Sequence, residues 1–235
     1  MPDGFDAGER VVVPALHALG VQRIDLAMVS HDDSDHAGGF AAVARAFPPG
    51  LSLGPAGSAV PVAKPCVAGA HWRWDGVEFR VLHPAAEFPY LDNESSCVLR
   101  ISTAHGAALL TGDIGEVIER KLLREQPSLL RADVALVAHH GSGGSSDPGF
   151  IAATGAKLAL VSSGFGNRFH HPQAEVVERW REAGARVADT QGLGALRVRL
   201  QRGGPQLAGE RLRQPRPWDA ARRRALAAGL SYRPD

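Results

Sequence analysis

The sequence is poor in cysteine, lysine and long hydrophobic runs. Its 235 residues include only two cysteines, Cys66 and Cys97, which exclude a disulfide scaffold and an all-cysteine zinc site and leave the redox compartment open. No apolar run approaches the roughly 18 residues that cross a bilayer, so no membrane-spanning segment is expected. Hydrophobic residues still make up 44% of the chain, which is enough to bury a core and argues against a disordered protein.

Positive charge is concentrated towards the C-terminal end, although the whole chain has a net charge of only +1. Residues 196–235 carry ten arginines and a net charge of +7, whereas the other 195 residues carry −6. Such a segment is typical either of a solvated or oligomer-contacting extension or of a phosphate-binding patch, and charge alone leaves both open. Because the hydrophobic pattern fades from residue 203, the sequence predicts one folded domain at 1–203 and an arginine-rich appendage at 204–235.

The hydrophobic pattern alternates short apolar strands with amphipathic helices, which predicts an α/β fold. Helices are predicted at residues 9–19, 39–47, 114–125, 148–154 and 173–183. Strands are predicted at residues 24–29, 77–82, 97–102, 107–111, 134–138, 158–162 and 195–200. The stretch 48–65 is rich in proline, glycine and serine, and it predicts a surface loop between short strands.

Four of the predicted strands run directly, or after a glycine-rich loop, into residues of the metal-ligand type. These residues are His31, Asp113, the pair His139–His140 and the pair His170–His171. Strand ends at one edge of a sheet converge in space, so these four segments are expected to build a single pocket.

The segment from His31 to His36 carries the strongest signal, because it places five potential metal ligands within six residues after an apolar strand. A solvated acidic turn would not explain two histidines that bracket three aspartates. In a tight loop, alternate residues can point to one side, which allows two pairs of ligands to face two metals. Imidazole and carboxylate together suit zinc, manganese or iron.

The other candidates each have a second interpretation. Asp113 could cap the helix that follows it, but beside a His/Asp cluster it is better placed to bridge two cations. Adjacent residues on a strand point in opposite directions, so only one of His139 and His140 is expected to be a ligand, and the sequence does not say which. His171 could either cap the helix near Pro172 or belong to the site.

These motifs resemble the metallo-β-lactamase superfamily, and specifically the C-terminal metallo-hydrolase domain of ComEC-type DNA-internalisation competence proteins. The resemblance runs from about residue 5 to residue 200 and includes segments 31–36, 93–99, 110–113, 139–142 and 167–172. It implies a four-layer αβ/βα sandwich that lacks its first strands, with a dinuclear metal site along one edge. It also implies a soluble domain attached to the outer face of a bacterial inner membrane, with a membrane-channel portion as a possible partner.

Carried over residue by residue, the resemblance assigns roles to the candidate ligands. His31 and Asp33 would hold one divalent metal, Asp35 and His36 the other, and Asp113 would bridge them. We take His140 as the remaining ligand and His139 as a catalytic residue, with the choice between them open. The third histidine usual in the superfamily is absent, which favours manganese over tightly held zinc.

The favoured function is a metal-dependent phosphodiesterase or nuclease that acts on DNA, most simply a single strand discarded during uptake. Asp35 would orient the attacking water, and His171 or His139 would protonate the leaving oxygen. Substrate would be held by residues that follow the strand ends: Ser142, Asn167 and Arg168. Two alternatives remain open: a small-molecule metallo-hydrolase (lactonase, thioesterase or phosphorylcholine esterase), and a non-catalytic DNA- or partner-binding module with a degenerate site. The oligomeric state is not indicated by the sequence.

Overall fold

The smaller of two β-sheets carries the first candidate ligands. The computed structural model describes residues 5–216 and 218–219. Three parallel strands form this sheet in the order β1 (Leu26–Met28), β2 (Leu51–Gly54) and β3 (Lys64–Pro65). The prediction of a surface loop over 48–65 was wrong at β2, where Ser52 and Leu53 are buried. A four-residue strand is fixed by its pairing with β1, and a local pattern of this length does not show such pairing.

The larger sheet has seven strands and forms the centre of the molecule. In chain order they are β4 (His71–Trp74), β5 (Val77–His83), β6 (Val98–Thr103), β7 (Gly106–Leu110), β8 (Val134–Leu136), β9 (Leu158–Val161) and β10 (Arg186–Asp189). In space the strands follow the reverse of the chain order, from β10 at one edge to β4 at the other. Adjacent strands pair antiparallel from β4 to β7 and parallel from β7 to β10. Within this sheet, the sequence did not predict two strands, β4 and β10. Both are edge strands, and their exposed polar residues weaken the hydrophobic signal.

The five predicted helices lie within two residues of their predicted ends, and three further short helices, α4, α7 and α8 below, were not predicted. A π-helical turn (Gly8–Val12) leads into α1 (Val13–Ala18), followed by α2 (Phe40–Ala46), α3 (Glu116–Glu125), α4 (Pro127–Leu130), α5 (Pro148–Thr154), α6 (Ala174–Glu182), α7 (Thr190–Leu193) and α8 (Glu210–Arg213). Asp147 caps α5 by accepting hydrogen bonds from the N–H groups of Gly149 and Phe150.

Both faces of the larger sheet are covered, and this gives the layered architecture. On one face, Ile118 of α3 and Phe150 of α5 pack on Leu109, and Trp180 of α6 packs in the neighbouring cluster. On the other face, Val81 and Leu99 pack against the smaller sheet. The connection between the parallel strands β1 and β2 runs through α2, as in a βαβ unit, whose helix lies on one face of its sheet. The expected αβ/βα sandwich is therefore confirmed.

A β-hairpin covers the rest of the second face. Its strands, β11 (Leu196–Gln201) and β12 (Gly204–Gly209), pair in antiparallel register, and their apolar side chains pack on Val134, Leu158 and Ala188. The predicted boundary at residue 203 falls in the turn of this hairpin, so residues 204–209 continue the packed structure. The tail arginines Arg222, Arg223, Arg224 and Arg233 lie outside the described residues.

The two sheets are also joined covalently. Cys66, which follows β3, forms a disulfide bond with Cys97, which precedes β6. Both side chains are buried. The sequence left the state of these cysteines open, because their 31-residue separation does not show that they meet.

Among the described residues, no helix is long and apolar enough to cross a membrane.

Candidate metal centre

The candidate centre lies between the C-terminal ends of strands from both sheets. His31 follows β1 of the smaller sheet, while Asp113, His140 and His171 follow β7, β8 and β9 of the larger one. The expectation of one edge of a single sheet is therefore corrected. The ligands come from two sheets that pack face to face, and a pattern of strand ends does not show which sheet each strand joins.

One group of ligand atoms surrounds the Nε2 atoms of His36 and His140, which lie 3.1 Å apart. The two carboxylate oxygens of Asp113 face these two histidines separately, Oδ1 at 3.2 Å from His36 and Oδ2 at 3.3 Å from His140. Asp35 Oδ2 lies 3.2 Å from His140 and 4.0 Å from His36. Asp113 therefore lies between the two histidines, as a bridging carboxylate would.

A second group overlaps the first and contains His31, His36 and Asp113, whose ligand atoms lie within 4.8 Å of one another. The side chain of His31 is fully buried, and its Nε2 has no hydrogen-bond partner. Asp33 Oδ2 lies 3.6 Å from this nitrogen. A buried nitrogen without a partner costs free energy, and a cation bound to its lone pair would remove that cost. The six predicted ligands converge, and their donor set fits one or two divalent cations.

The protonation of this cluster reflects its close packing. The hydrogen bond with Asp113 raises the pKa of His140 to about 9, against the opposing effect of burial. Burial alone would raise the pKa of Asp113, but the hydrogen bonds from His140 and His36 lower it well below its ordinary value. Burial, together with the neighbouring His36, lowers the pKa of His31. The centre thus combines an ionised carboxylate with a buried imidazole that favours its neutral form.

Two serine hydroxyls orient the histidines. Ser30 Oγ lies 3.2 Å from Nδ1 of His31 and 3.0 Å from Nδ1 of His36. Ser96 Oγ lies 3.3 Å from the same His31 nitrogen and accepts a hydrogen bond from the Asp113 N–H at 3.0 Å. When each Nδ1 carries the proton and donates to a hydroxyl, both Nε2 lone pairs are free to bind metal.

Gly112 makes this arrangement possible, because only glycine fits between the two serines. Its φ of +59° lies in the left-handed region. A Cβ atom here would lie 2.6 Å from Ser96 Cβ and 3.1 Å from Ser30 Cβ. Any side chain at this position would push one of the two hydroxyls away from the histidines.

The remaining aspartate of the motif does not face the centre. Asp32 accepts a short hydrogen bond from the Tyr90 hydroxyl and another from the Ala59 N–H. The Tyr90 hydrogen bond lowers the pKa of Asp32. Asp32 therefore ties the ligand loop to two neighbouring loops.

His139 and His140 lie in a tight turn, not at the end of a strand. β8 ends at Leu136, and both histidines have left-handed backbones, with φ of +49° and +54°. Such conformations cost of order 1–3 kcal/mol each and cluster at functional sites. The turn directs His140 towards Asp113, with its Nδ1 donating to the Ser162 carbonyl at 2.7 Å. His139 instead lies with its Nε2 3.4 Å from Asn93 Nδ2, so the geometry favours His140 as the ligand.

A polar cavity of about 670 Å³ opens beside the candidate ligands. Its wall includes five residues outside the ligand set: Ser34, His139, Arg168, Phe169 and His171. The rings of His139 and His171 lie 6.0 Å apart between centroids. Burial, reinforced by the neighbouring His139 and His140, lowers the pKa of His171, whose Nδ1 has no hydrogen-bond partner.

Two of the predicted substrate-binding residues occupy other positions. Both ends of the Asn167 carboxamide are bonded within its own loop, to Gly164 and to His171. Ser142 Oγ accepts a hydrogen bond from the Gly144 N–H, and the polar cavity is lined by other residues. Both side chains shape loops, whereas Arg168 does line the cavity.

A second, apolar cavity of about 370 Å³ reaches the centre from between the sheets. It is lined by Met28, Leu99, Leu110 and Leu136 and touches four candidate ligands, Asp35, His36, Asp113 and His140.

Sequence reasoning gave no role to four residues that contact the histidines or their loop, Ser30, Tyr90, Asn93 and Ser96, or to Phe169, which lines the polar cavity. Serine and asparagine are common in loops, and nothing in their local pattern marks a contact with a distant histidine. The available signals were the position of Ser30 directly before the ligand motif and the position of Asn93, Ser96 and Phe169 within segments that carry the family resemblance.

This chain is similar in sequence to several known proteins and similar in fold to a solved structure. The sequence pattern of the metallo-beta-lactamase superfamily matches residues 3–191. Competence protein ComA of Neisseria gonorrhoeae is 38% identical over 198 residues, which cover 84% of this chain and 28% of that protein. ComE operon protein 3 of Bacillus subtilis (strain 168) is 31% identical over 212 residues, covering 84% and 27%. The chain thus spans about a quarter of the length of these curated relatives.

A solved structure from Parabacteroides distasonis ATCC 8503, whose name describes a metal-dependent hydrolase, shares the fold. Its TM-score is 0.50, with 11% identity over 72% of this chain and 77% of that one. At this identity the likeness concerns the fold alone. The fold, the cluster of histidines and aspartates and the match over most of the sequence lead to one assignment: the chain belongs to the metallo-beta-lactamase superfamily.

Proposed function

We propose that this domain is a metal-dependent phosphodiesterase that cleaves DNA. The observation that carries the proposal is the polar cavity, which joins the candidate metal ligands to one arginine and two further histidines. Such a cavity offers a cation site, an anchor for a phosphate and groups that transfer protons within a single volume. The convergence of six ligand-type side chains favours catalysis over a non-catalytic module with a degenerate site.

Each residue would contribute a definite step. One or two divalent cations held by His31, Asp33, Asp35, His36, Asp113 and His140 would supply Lewis-acid activation of water and of a phosphoryl oxygen. Asp35, which lines the cavity, would accept a hydrogen bond from the attacking water and orient it. Arg168 would pair with a phosphate oxygen. His139 or His171 would protonate the leaving oxygen.

Manganese is the metal that we expect, with zinc as the alternative. The group around His31 has one neutral imidazole of its own, shares His36 and Asp113 with the other group, and lacks a further histidine. Oxygen-rich sites of this kind suit manganese better than tightly held zinc.

The biological setting follows from the relatives, two of which are named for competence and for the ComE operon. We infer that this domain acts on DNA during uptake, on a single strand, next to a membrane-channel portion of a longer protein. The Cys66–Cys97 disulfide supports a position outside the cytoplasm, because disulfides persist mainly in oxidising compartments.

The apolar cavity favours a second candidate function. A small-molecule metallo-hydrolase, such as a lactonase or thioesterase, needs an apolar pocket at its metal centre, and Met28, Leu99, Leu110 and Leu136 provide one. A phosphodiester with its charged oxygens fits the polar cavity better than this apolar one.

Hydrolysis assays test the proposal directly. The purified domain is incubated with single-stranded DNA, double-stranded DNA, a lactone and a thioester, each with Mn²⁺, Mg²⁺, Zn²⁺ or chelator. We expect DNA cleavage that requires metal, and a loss of at least about 100-fold in Asp35→Asn, since even outer-sphere partners of a metal site typically contribute 10–100-fold.

Asp75→Asn is the matched control, because Asp75 is an exposed carboxylate in the turn between β4 and β5, away from the centre. It should cleave DNA like the unsubstituted domain. Full activity in Asp35→Asn would remove the proposed centre from the reaction. Turnover of the lactone or thioester without DNA cleavage would establish the second candidate instead.

A further inference from the structure

An aromatic ring lies exposed at the wall of the polar cavity. Phe169 is 58% exposed, although large apolar side chains are normally buried. The Arg168 guanidinium carbon lies 4.7 Å from the centroid of this ring. The His171 ring is nearly parallel to it, at an angle of 16° and a centroid distance of 5.8 Å. An aromatic face, a cation and an imidazole therefore line the same cavity as the candidate metal ligands.

The loop holds this ring in place. Asn167 donates from Nδ2 to the carbonyls of Gly164 and His171, at 3.0 and 2.7 Å, and its Oδ1 accepts from the His171 N–H at 3.0 Å. These hydrogen bonds close the backbone on both sides of Arg168 and Phe169. The hydrogen-bonded loop already holds the ring in position, so ligand binding costs less conformational entropy of the loop.

We propose that Phe169 stacks on an unpaired nucleobase next to the scissile phosphate while Arg168 pairs with an adjoining phosphate. This inference rests on the proposed function and names the side chains that would favour single-stranded nucleic acid over duplex. An exposed aromatic face beside a cation matches the two parts of a nucleotide, the flat base and the charged phosphate. Bases in a duplex are already stacked and paired, so reaching Phe169 would first require unpairing.

The position of the ring favours a base over an acyl chain as its ligand. An acyl chain would be better buried in the apolar cavity, where Met28, Leu99, Leu110 and Leu136 would shield it from water. Phe169 instead lies among charged and imidazole groups, where a base can stack on one face and remain hydrated at its polar edge.

Binding of oligonucleotides by the full domain tests the inference without relying on catalysis. In an Asp35→Asn background, the dissociation constants are measured by fluorescence anisotropy for a short single strand, the same strand with an abasic site at each position in turn, and the duplex. We expect Phe169→Ala to weaken single-strand binding by about 10- to 100-fold, the range that loss of one base stack gives. Phe169→Tyr, which keeps the aromatic face, should restore it.

Phe165→Ala is the matched control, because Phe165 is 43% exposed in the same loop and does not line the cavity. It should bind all oligonucleotides as the parent does. A strand lacking the stacked base should bind Phe169→Ala and the parent equally well.

Equal single-strand binding by Phe169→Ala and the parent would overturn the inference, as would an equal loss for every abasic strand. In either case metal-dependent DNA cleavage by the unsubstituted domain would leave the proposed function standing. If the parent binds no DNA and the unsubstituted domain cleaves none, the proposed function and the inference both fail.

Discussion

At the scale of single residues, the candidate centre depends on hydroxyl groups as much as on its ligands. Ser30 Oγ lies within hydrogen-bond distance of Nδ1 in both His31 and His36. Removing it would release both imidazoles from the tautomer and orientation that direct Nε2 towards a metal. We expect Ser30→Ala to weaken Mn²⁺ or Zn²⁺ binding by roughly 10–100-fold, the usual effect of losing an outer-sphere partner. Isothermal titration with each metal measures this directly.

Ser128→Ala serves as the control for this measurement, because Ser128 is exposed on α4 and lines neither cavity at the candidate centre. Its metal affinity should equal that of the unsubstituted domain. If Ser30→Ala also bound metal with unchanged affinity, Ser96 alone would suffice to orient His31, and Ser30 would have no positioning role.

The sequence predicts the candidate ligands that the fold brings together, but it does not predict the serines that contact them. His31, Asp33, Asp35 and His36 form a dense run of rare residue types after an apolar strand, and such a run has few structural explanations. Ser96 lies 65 residues from His31 in the chain and meets it only through the packing of two sheets. Contacts of this kind depend on the tertiary fold, so a local pattern does not contain them.

At the scale of elements, the strong amphipathic periodicity of α3 and α6 predicts both helices. Strands of two to four residues, such as β2 and β3, are harder to predict because they are too short to show a hydrophobic period. We predict a strand end at His139 and His140 because a left-handed backbone is uncommon for any residue other than glycine, and the enrichment of histidine there is too weak to predict it. The choice between the two histidines therefore needed the structure.

A buried carboxylate on α3 fixes the loop that follows this turn. Glu119 is fully buried and accepts hydrogen bonds from the N–H groups of Ser146 and Asp147, at 2.9 and 2.7 Å. Burial is the main cause that raises the pKa of Glu119 to about 7, from an ordinary value of 4.5. Because the folded chain holds this proton more tightly than the unfolded chain, stability falls as pH rises from about 4.5 to about 7.

Glu119→Gln removes this titration and so provides the test. Between pH 5 and pH 8 the free energy of unfolding should fall by about 2–3 kcal/mol more in the unsubstituted domain than in the variant. Urea denaturation of the parent and of the variant at pH 5 and at pH 8 measures these free energies of unfolding. Glu87→Gln, at an exposed loop position, should show the full pH dependence of the parent. Parallel pH profiles for Glu119→Gln and the parent would mean that Glu119 titrates normally.

At the scale of the whole molecule, the hairpin changes how the basic C-terminal segment can be tested. Arg197 and Arg199 alternate on β11 with Leu196, Val198 and Leu200, so the leucines and valine pack inwards while the arginines are exposed. Arg213 joins them in a shallow groove, where Glu210 forms ion pairs with Arg197 and Arg213. Deleting the segment from residue 204 would remove β12, leave the backbone of β11 unpaired along one edge and take Leu207 out of the packed cluster. Substitution of the exposed arginines therefore isolates charge from folding.

If this face contacts the phosphates of a bound single strand, Arg197→Ala combined with Arg199→Ala should flatten the salt dependence of DNA binding. Each lost phosphate contact removes about 0.7 from the log–log slope, so the pair should remove about 1.4. Hydrolysis of a small phosphodiester should be unchanged, because the hairpin contacts Val134 and Leu158 at the beginning of β8 and β9, whereas the centre lies beyond the ends of these strands.

Arg45→Ala combined with Arg73→Ala is the control, because it makes the same change in net charge at exposed positions outside the hairpin. The slope of its salt dependence should stay near that of the parent. Slopes that fall equally in both double variants would indicate a long-range effect of net charge. An unchanged slope in the hairpin variant would assign this face to solvent or to contact with another copy of the chain.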